Sequence, residues 1–160
     1  MKIVIGSDKS GFSLKQEIKK YLLEKGIEVE DVGMYENEEV RPYYVSAAMV
    51  AEKVSKGEYE RGILCCGTGM GMAIVANKFK GVYASVVEGP FTAKLSKIIN
   101  NSNVLTMGGW LITPFEAKEI IDNWLNAKFA EGLDFIDENR KQFLENALNE
   151  IRKIEDKNFK

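Results

Sequence analysis

The chain has 160 residues, of which 45% are hydrophobic, enough for one domain with one full core. Its 22 basic and 24 acidic residues are mixed along the sequence and give a net charge of −2, which argues against a nucleic-acid partner. No apolar run approaches the roughly 20 residues that cross a bilayer, and no signal-peptide pattern opens the chain. We therefore expect a soluble, cytoplasmic protein without a membrane partner.

Short β-rich runs alternate with segments of helical period along the first 127 residues. The predicted strands are Lys2–Ser7, Glu28–Val32, Gly62–Cys66, Val82–Val87 and Val104–Met107, and the helices between and after them are Ser13–Lys25, Tyr44–Ser55, Met70–Lys78, Thr92–Asn100 and Pro114–Ala127. Five strands separated by helices are typical of βαβ units. The sequence thus predicts an α/β fold with three layers, α/β/α, and a five-stranded parallel sheet.

A final amphipathic helix is predicted over Asp134–Lys157. Its apolar stripe follows helical spacing in two rows, Phe143, Ala147, Ile151, Ile154 and Leu144, Leu148, Ile151. The stripe either folds back on its own domain or packs across a symmetric partner, and we favour the partner because closed dimers are the commonest assembly. Residues 1–132 form the main domain, and residues 133–160 belong to it as a helix packed on or exchanged with a partner in a homodimer or a dimer of dimers.

Side-chain chemistry is restricted by what the composition lacks. Histidine is absent, which removes the commonest general base and the commonest metal ligand. The two cysteines, Cys65 and Cys66, are adjacent, a spacing that rarely forms a disulfide and is too small a set for a metal site. We expect reduced thiols, no metal and no cofactor, with proton transfer left to Cys, Asp, Glu, Lys, Tyr or water.

The segment from Arg61 to Met72 carries the strongest functional signal. An apolar strand ends in the two cysteines and opens into a turn with glycines at positions 67, 69 and 71, followed by a helix. Glycines let the main chain turn tightly, and the N–H groups of such a turn hold an anion or a developing oxyanion. A thiol beside these donors is suited to act as a nucleophile or base. Asp8 and Gly108-Gly109 fall at the same carboxyl edge of the predicted sheet, where ligands bind.

Four segments in order resemble the ribose-5-phosphate isomerase B / galactose-6-phosphate isomerase family: Gly6–Phe12 with the helix after it, Ile63–Lys78, Asn100–Gly109 and Ile120–Leu125. The resemblance runs from Met1 to about Gly132. It implies a Rossmann-like domain, a metal-free aldose–ketose isomerisation of a sugar phosphate, and an active site shared across a dimer. The C-terminal helix would then serve dimerisation.

Aldose–ketose exchange moves a proton between C1 and C2 through an enediolate, so it needs one base and donors for the oxyanion. The resemblance implies that Cys66 is the base, that Thr68 assists proton movement on the oxygens, and that Asp8 and Asn100 hold substrate hydroxyls. The N–H groups around Gly67, Gly69 and Gly71 are the oxyanion donors. Cys65 is expected to be a buried strand residue.

Each of these roles has a structural alternative. Cys66 is otherwise an inert strand end, Asp8 a cap of the first helix, Thr68 a turn residue and Asn100 a residue that satisfies a helix C-terminus. The sequence alone leaves these alternatives open.

Departures from the family pattern bear on the substrate. Lys9 stands where many members have histidine, and it keeps a positive charge at the site. Ile99 aligns with the family's ring-opening histidine and cannot transfer a proton. The family's phosphate-binding arginines are missing after Glu131, with Arg140 a weak candidate to replace them. These changes favour a mainly open-chain substrate whose anionic group is held differently.

Arg41-Pro42 stands where the family has Tyr-Pro. A guanidinium there is able to clamp a carboxylate or phosphate in bidentate fashion. The alternative is a solvated loop arginine among the acidic residues Glu36, Glu38 and Glu39.

The main hypothesis is an isomerase of the ribose-5-phosphate isomerase B type that uses a cysteine base on a sugar phosphate. The sequence leaves open whether the substrate is a pentose, a hexose or a tetrulose phosphate. Two alternatives are an isomerase of a non-phosphorylated keto-uronate, which is a sugar acid, and a non-catalytic subunit of a hetero-oligomeric sugar-phosphate isomerase.

Overall fold

Strands and helices alternate along the computed structural model, which describes residues 1–159. The elements are β1 (Lys2–Ser7), α1 (Phe12–Glu24), β2 (Glu28–Asp31), α2 (Tyr43–Ser55), β3 (Arg61–Cys66), α3 (Met70–Ala76), β4 (Ala84–Val86), α4 (Pro90–Asn100), β5 (Val104–Gly108), α5 (Pro114–Asn126) and α6 (Glu138–Asn158). Their order is the predicted one. The largest shift is at α6, which begins at Glu138 rather than Asp134 because Asp137 caps it, accepting a hydrogen bond from the N–H of Arg140 at 2.7 Å.

The five strands form one parallel sheet in the order β2-β1-β3-β5-β4. In this register Ser7 pairs with Cys65, and Cys66 pairs with Gly108. The carboxyl ends of β1, β3 and β5 are therefore level with one another. Since the chain leaves β1 toward β2 on one side and returns to β3 on the other, the crevice between β1 and β3 is a topological switch point.

Helices cover both faces of the sheet. Ile3, Ile5 and Ile63 face a core shared with α1, α4 and α5, whereas Val4 and Leu64 face a second core shared with α2 and α3. The predicted α/β fold with a three-layer arrangement and a five-stranded parallel sheet is confirmed. Because side chains alternate along a strand, Cys65 and Cys66 point to opposite faces.

Helix α6 uses only part of its apolar stripe within the chain. Leu144 and Leu148 are buried, whereas Phe143 and Ile154 are more than half exposed. The stripe thus folds back on its own domain along one row and leaves the other row at the surface. Its use in dimerisation stays a prediction. Across residues 1–159, no helix combines the length and the apolarity that a membrane crossing requires.

A buried ion pair fastens the end of β2 to α1. Lys15 on α1 has no exposed surface, and its Nζ donates to both carboxylate oxygens of Asp31, at 2.8 and 3.0 Å, and to the carbonyl oxygen of Met34 at 2.6 Å. Burial lowers the pKa of Lys15. Burial alone would raise the pKa of Asp31, but hydrogen bonds from Lys15, the Gly33 N–H and Lys19 outweigh it and hold that pKa below its usual value.

Candidate active site

The thiol of Cys66 lies at the carboxyl end of β3, enclosed by the turn that follows. Its Sγ accepts a hydrogen bond from the N–H of Gly69 at 3.1 Å. Gly69 has a φ of +81° and packs against the backbone of Met107, so a side chain there would be strained as well as crowded. The turn therefore holds an N–H donor against the sulfur, an arrangement that stabilises negative charge on it.

Cys65 has a different environment from its neighbour. It has no exposed surface and lies in the core beneath α1 and α5. Burial raises the pKa of the Cys65 thiol. The prediction that Cys65 is a buried strand residue is confirmed.

Asp8 lies beside the cysteines because the loop after β1 packs directly on the end of β3. The N–H of Asp8 donates to the carbonyl oxygen of Cys65 at 3.2 Å. Gly11 is in van der Waals contact with the same strand, since a Cβ on it would lie 2.6 Å from the backbone nitrogen of Cys66. Only glycine permits this close approach, and the sequence alone did not single it out.

The Asp8 carboxylate has one oxygen in use. Oδ1 accepts a hydrogen bond from the N–H of Gly11 at 2.9 Å, which closes the loop before α1; the N-cap of that helix is Gly11 itself, so Asp8 does not cap the first helix. Within residues 1–159, Oδ2 has no hydrogen-bond partner. The geometry therefore allows Asp8 to hold its loop closed through Oδ1 and to accept a hydrogen bond from a substrate hydroxyl through Oδ2.

A third loop, after β5, completes the carboxyl edge. The N–H of Gly109 donates to the carbonyl oxygen of Cys66 at 2.7 Å, and the N–H of Trp110 donates to that of Gly67 at 3.1 Å. Gly109 also packs against the backbone of Ser10 in the first loop. The loops after β1, β3 and β5 therefore meet at one point, next to the Cys66 thiol.

Two aromatic side chains that the sequence analysis missed lie on the glycine turn. The indole of Trp110 covers Gly67, where an added Cβ would lie 2.9 Å from three of its ring atoms. The ring of Tyr43, at the start of α2, covers Gly71, where an added Cβ would lie 2.8 Å from Cε2. Gly67 and Gly71 are thus required for ring packing. The sequence did contain a signal for Trp110, because a tryptophan that directly follows the Gly108-Gly109 pair at a strand end is placed at the edge where ligands bind.

Thr68 and Lys9 also lie at this edge. The Oγ1 of Thr68 accepts a hydrogen bond from the N–H of Met70 at 3.3 Å, so Thr68 supports the turn. Lys9 is exposed next to Asp8.

Asn100 lies far from this edge within the chain. It is the exposed last residue of α4, which runs antiparallel to the strands and so ends at their amino edge. It lines a groove of about 120 Å³ with Ile99, Arg140 and the apolar side of α6. One chain does not bring Asn100 to Cys66, so a site that uses both needs a second subunit.

Arg41 is engaged within its own loop. Its guanidinium donates to the carbonyl oxygen of Val32 and forms an ion pair with Glu38. It also lies 5.5 Å from the ring centroid of Tyr35. This geometry favours the loop-residue alternative, because a substrate anion would have to displace Glu38 to bind Arg41.

Comparison with known proteins identifies the family. A sequence profile of the Ribose/Galactose Isomerase family matches residues 3–141. The chain belongs to this family. It is 47% identical to 4-deoxy-4-sulfo-D-erythrose isomerase from Clostridium sp. (strain MSTE9) over 156 residues, which are 98% of this chain and 96% of that protein. It is 45% identical to ribose-5-phosphate isomerase B from Escherichia coli (strain K12) over 132 residues, 82% of this chain and 87% of that one.

A solved structure of ribose-5-phosphate isomerase B from Clostridium thermocellum has a TM-score of 0.87 to the chain, with 38% identity and coverage of 98% and 99% of the two chains. At 38% identity the two proteins are similar in sequence as well as in fold. The isomerase thus shares the fold of the ribose-5-phosphate isomerase B structures, and it is an aldose–ketose isomerase.

Proposed function

We propose that this isomerase interconverts the aldose and ketose forms of a four-carbon sugar with a terminal sulfonate or phosphate, using Cys66 as the base. The observation that carries the proposal is the Cys66 Sγ, held against the Gly69 N–H at the switch point beside Asp8. Ligands bind at this position in parallel sheets. The intact arrangement favours a catalytic chain over a non-catalytic subunit.

The proposed reaction needs no outside oxidant or reductant. The Cys66 thiolate takes the proton from C2 of the aldose, the C–H electron pair forms the C1–C2 double bond, and the carbonyl π electrons move to O1. The N–H groups of the glycine turn stabilise this oxyanion. Thr68 assists the transfer of the hydroxyl proton from O2 to O1. The S–H of Cys66 exchanges its proton with water and then delivers a proton to C1, which gives the ketose.

The length of the sugar is inferred from Ile99. A ribose 5-phosphate ring closes through the C4 hydroxyl, so an enzyme acting on it benefits from a group that opens the ring. A four-carbon aldose with sulfonate or phosphate at C4 has no free C4 hydroxyl and stays open-chain. Ile99, which cannot transfer a proton, therefore fits the four-carbon substrate. The nearly full-length match to a 4-deoxy-4-sulfo-D-erythrose isomerase supports the same chain length.

Steady-state kinetics on a matched panel test the proposal. The panel contains 4-deoxy-4-sulfo-D-erythrose, D-erythrose 4-phosphate and D-ribose 5-phosphate. We expect kcat/KM for at least one four-carbon sugar to exceed that for ribose 5-phosphate by roughly tenfold or more. An Ile99→His variant should raise kcat/KM for ribose 5-phosphate and leave kcat/KM for the two four-carbon sugars unchanged. Faster turnover of ribose 5-phosphate by the parent protein would overturn the proposed substrate class.

A further inference from the structure

The Trp110 indole stands at the junction of the three strand-end loops on a fixed backbone. The backbone N–H groups of Trp110 and Gly109 donate to the carbonyl oxygens of Gly67 and Cys66, respectively. The backbone N–H of Leu111 donates to the carbonyl oxygen of Gly108 at 3.0 Å and closes the turn. One face of the ring lies on Gly67. The residue is nevertheless 72% exposed. A large apolar side chain therefore stands at the surface on a fixed backbone, against the residue that directly follows the proposed base.

The position of the ring relative to the crevice indicates what it contacts. The crevice between the loops after β1 and β3 is the switch point at which the substrate is expected. Since Gly109 packs against Ser10 and Trp110 covers Gly67, the segment after β5 closes the third side of that crevice. A substrate with C1 and C2 at Cys66 has to extend its remaining carbons past this segment.

Within one chain, Lys9, Lys15 and Arg41 lie near the loops after β1 and β2. Arg41 is paired with Glu38 and Lys15 is buried against Asp31, so Lys9 is the exposed cation of these three. A phosphate monoester carries about −1.5 to −2 charges at pH 7. A sulfonate carries a single charge, and the cost of removing an ion from water rises steeply with its charge. An indole has an Nε1–H that donates a hydrogen bond to such a monoanion, and it carries no full charge that would favour a dianion.

We propose that the Trp110 indole lies against the bound substrate and selects its terminal group, favouring a sulfonate monoanion over a phosphate dianion. The inference rests on the proposed function and extends it to the specificity of the same site. Trp110 acts as a specificity-determining residue, and the proton transfer remains with Cys66.

Competition between the two four-carbon substrates tests the selection. The ratio of kcat/KM for 4-deoxy-4-sulfo-D-erythrose to that for D-erythrose 4-phosphate should favour the sulfonate in the parent and fall by roughly tenfold in Trp110→Ala. Trp110→Phe should keep most of the preference. Phe115→Ala is the matched control, since Phe115 is equally exposed at 72% and lies on α5. The parent's ratio should also fall below pH 6, because the phosphate becomes a monoanion there. Titration of the enzyme's own groups affects both substrates and therefore cancels in the ratio.

Tryptophan fluorescence gives an independent measurement. The other tryptophan, Trp124, has no exposed surface and donates its Nε1–H to Ser102 at 3.0 Å, so acrylamide quenching reports Trp110. In Cys66→Ala, which should bind without turnover, 4-deoxy-4-sulfo-D-erythrose should reduce the quenching. The same addition to the double variant that also carries Trp110→Phe should change nothing.

Three results would overturn the inference: an unchanged substrate ratio in Trp110→Ala, a ligand that leaves the quenching unaltered, or an indole already shielded from acrylamide in the free protein because a second copy covers it. Failure of the proposed function looks different, since the parent would then turn over ribose 5-phosphate faster than either four-carbon sugar. In that case, a decrease in acrylamide quenching of Trp110 on addition of either sugar still decides whether the indole lines the ligand site.

Discussion

At the scale of single residues, the two cysteines show how strand alternation assigns different chemistry to identical side chains. Cys65 faces the core under α1 and α5, where burial raises its pKa and keeps it protonated. Cys66 faces the other side and has an N–H donor on its sulfur. The sequence could predict this difference because one position along a strand exchanges the faces of the sheet.

Substitution of each cysteine tests the assignment. Cys66→Ala and Cys66→Ser should lower kcat by roughly two to four orders of magnitude, because the base is lost, while the circular dichroism spectrum stays that of the parent. Cys65→Ala is the matched control and should retain most of the activity. Comparable kcat in Cys66→Ala and the parent would shift the role of base to another group, such as Glu88 in the loop after β4.

Arg41 is the residue for which the structure changes the expected result most. Because its guanidinium is already paired with Glu38, we expect Arg41→Ala and Glu38→Gln to change KM by less than about threefold, as is usual for pairs near the surface. A strong rise of KM in Arg41→Ala alone, with Glu38→Gln near the parent, would show that Arg41 binds the substrate's anionic group. The measurement is steady-state kinetics with the best substrate of the panel.

At the scale of elements, periodicity predicted every strand and helix in order, because most of them bury an apolar row. What it could not predict are contacts between elements distant in sequence. The close packing of Gly11 on β3 and of Trp110 on Gly67 depends on the strand order, which places the loops after β1, β3 and β5 together. Lys15 was missed for a similar reason, since its partner Asp31 lies on a different element.

The Lys15–Asp31 pair should be a major stabiliser of the β2 end. Lys15→Ala leaves the Asp31 carboxylate buried without its main partner, so we expect a loss of about 3–5 kcal/mol in the free energy of unfolding, measured by urea titration. Lys19→Ala is the control, because Lys19 contacts the same carboxylate at 3.1 Å from a more exposed position and should cost under about 1 kcal/mol. An equal loss of unfolding free energy in the two variants would contradict the claim that the buried Lys15 stabilises the end of β2 more than the partly exposed Lys19 does.

At the scale of the whole molecule, the residues that the family resemblance assigns to one site are divided between two edges of the sheet. Asp8 and Cys66 lie at the carboxyl edge, whereas Asn100 lies with Ile99 and Arg140 in the groove at the amino edge. The exposed row of α6 borders the same groove. Sequence reasoning could name these residues, but their separation depends on the direction of α4. We expect a symmetric partner, packed with its carboxyl edge against this groove, to bring the two sets together.

Mixing of inactive variants tests this shared site. Cys66→Ala and Asn100→Ala should each be inactive alone, and together, after subunit exchange, they should recover up to about a quarter of the parent's activity, because half of the dimers then hold one intact site of two. The assay is run beside analytical ultracentrifugation to confirm the dimer. A mixture no more active than its components would show that Cys66 and Asn100 do not work across subunits.

The central claim is that Cys66 moves a proton between C1 and C2 of a four-carbon sugar. NMR in deuterated water tests it most directly, with 4-deoxy-4-sulfo-D-erythrose as the substrate and the parent compared with Cys66→Ala. The parent should form the ketose with deuterium at C1 and return aldose with deuterium at C2, and Cys66→Ala should form neither at a comparable rate. Conversion and deuterium incorporation by Cys66→Ala at the parent's rate would contradict proton transfer by this thiol.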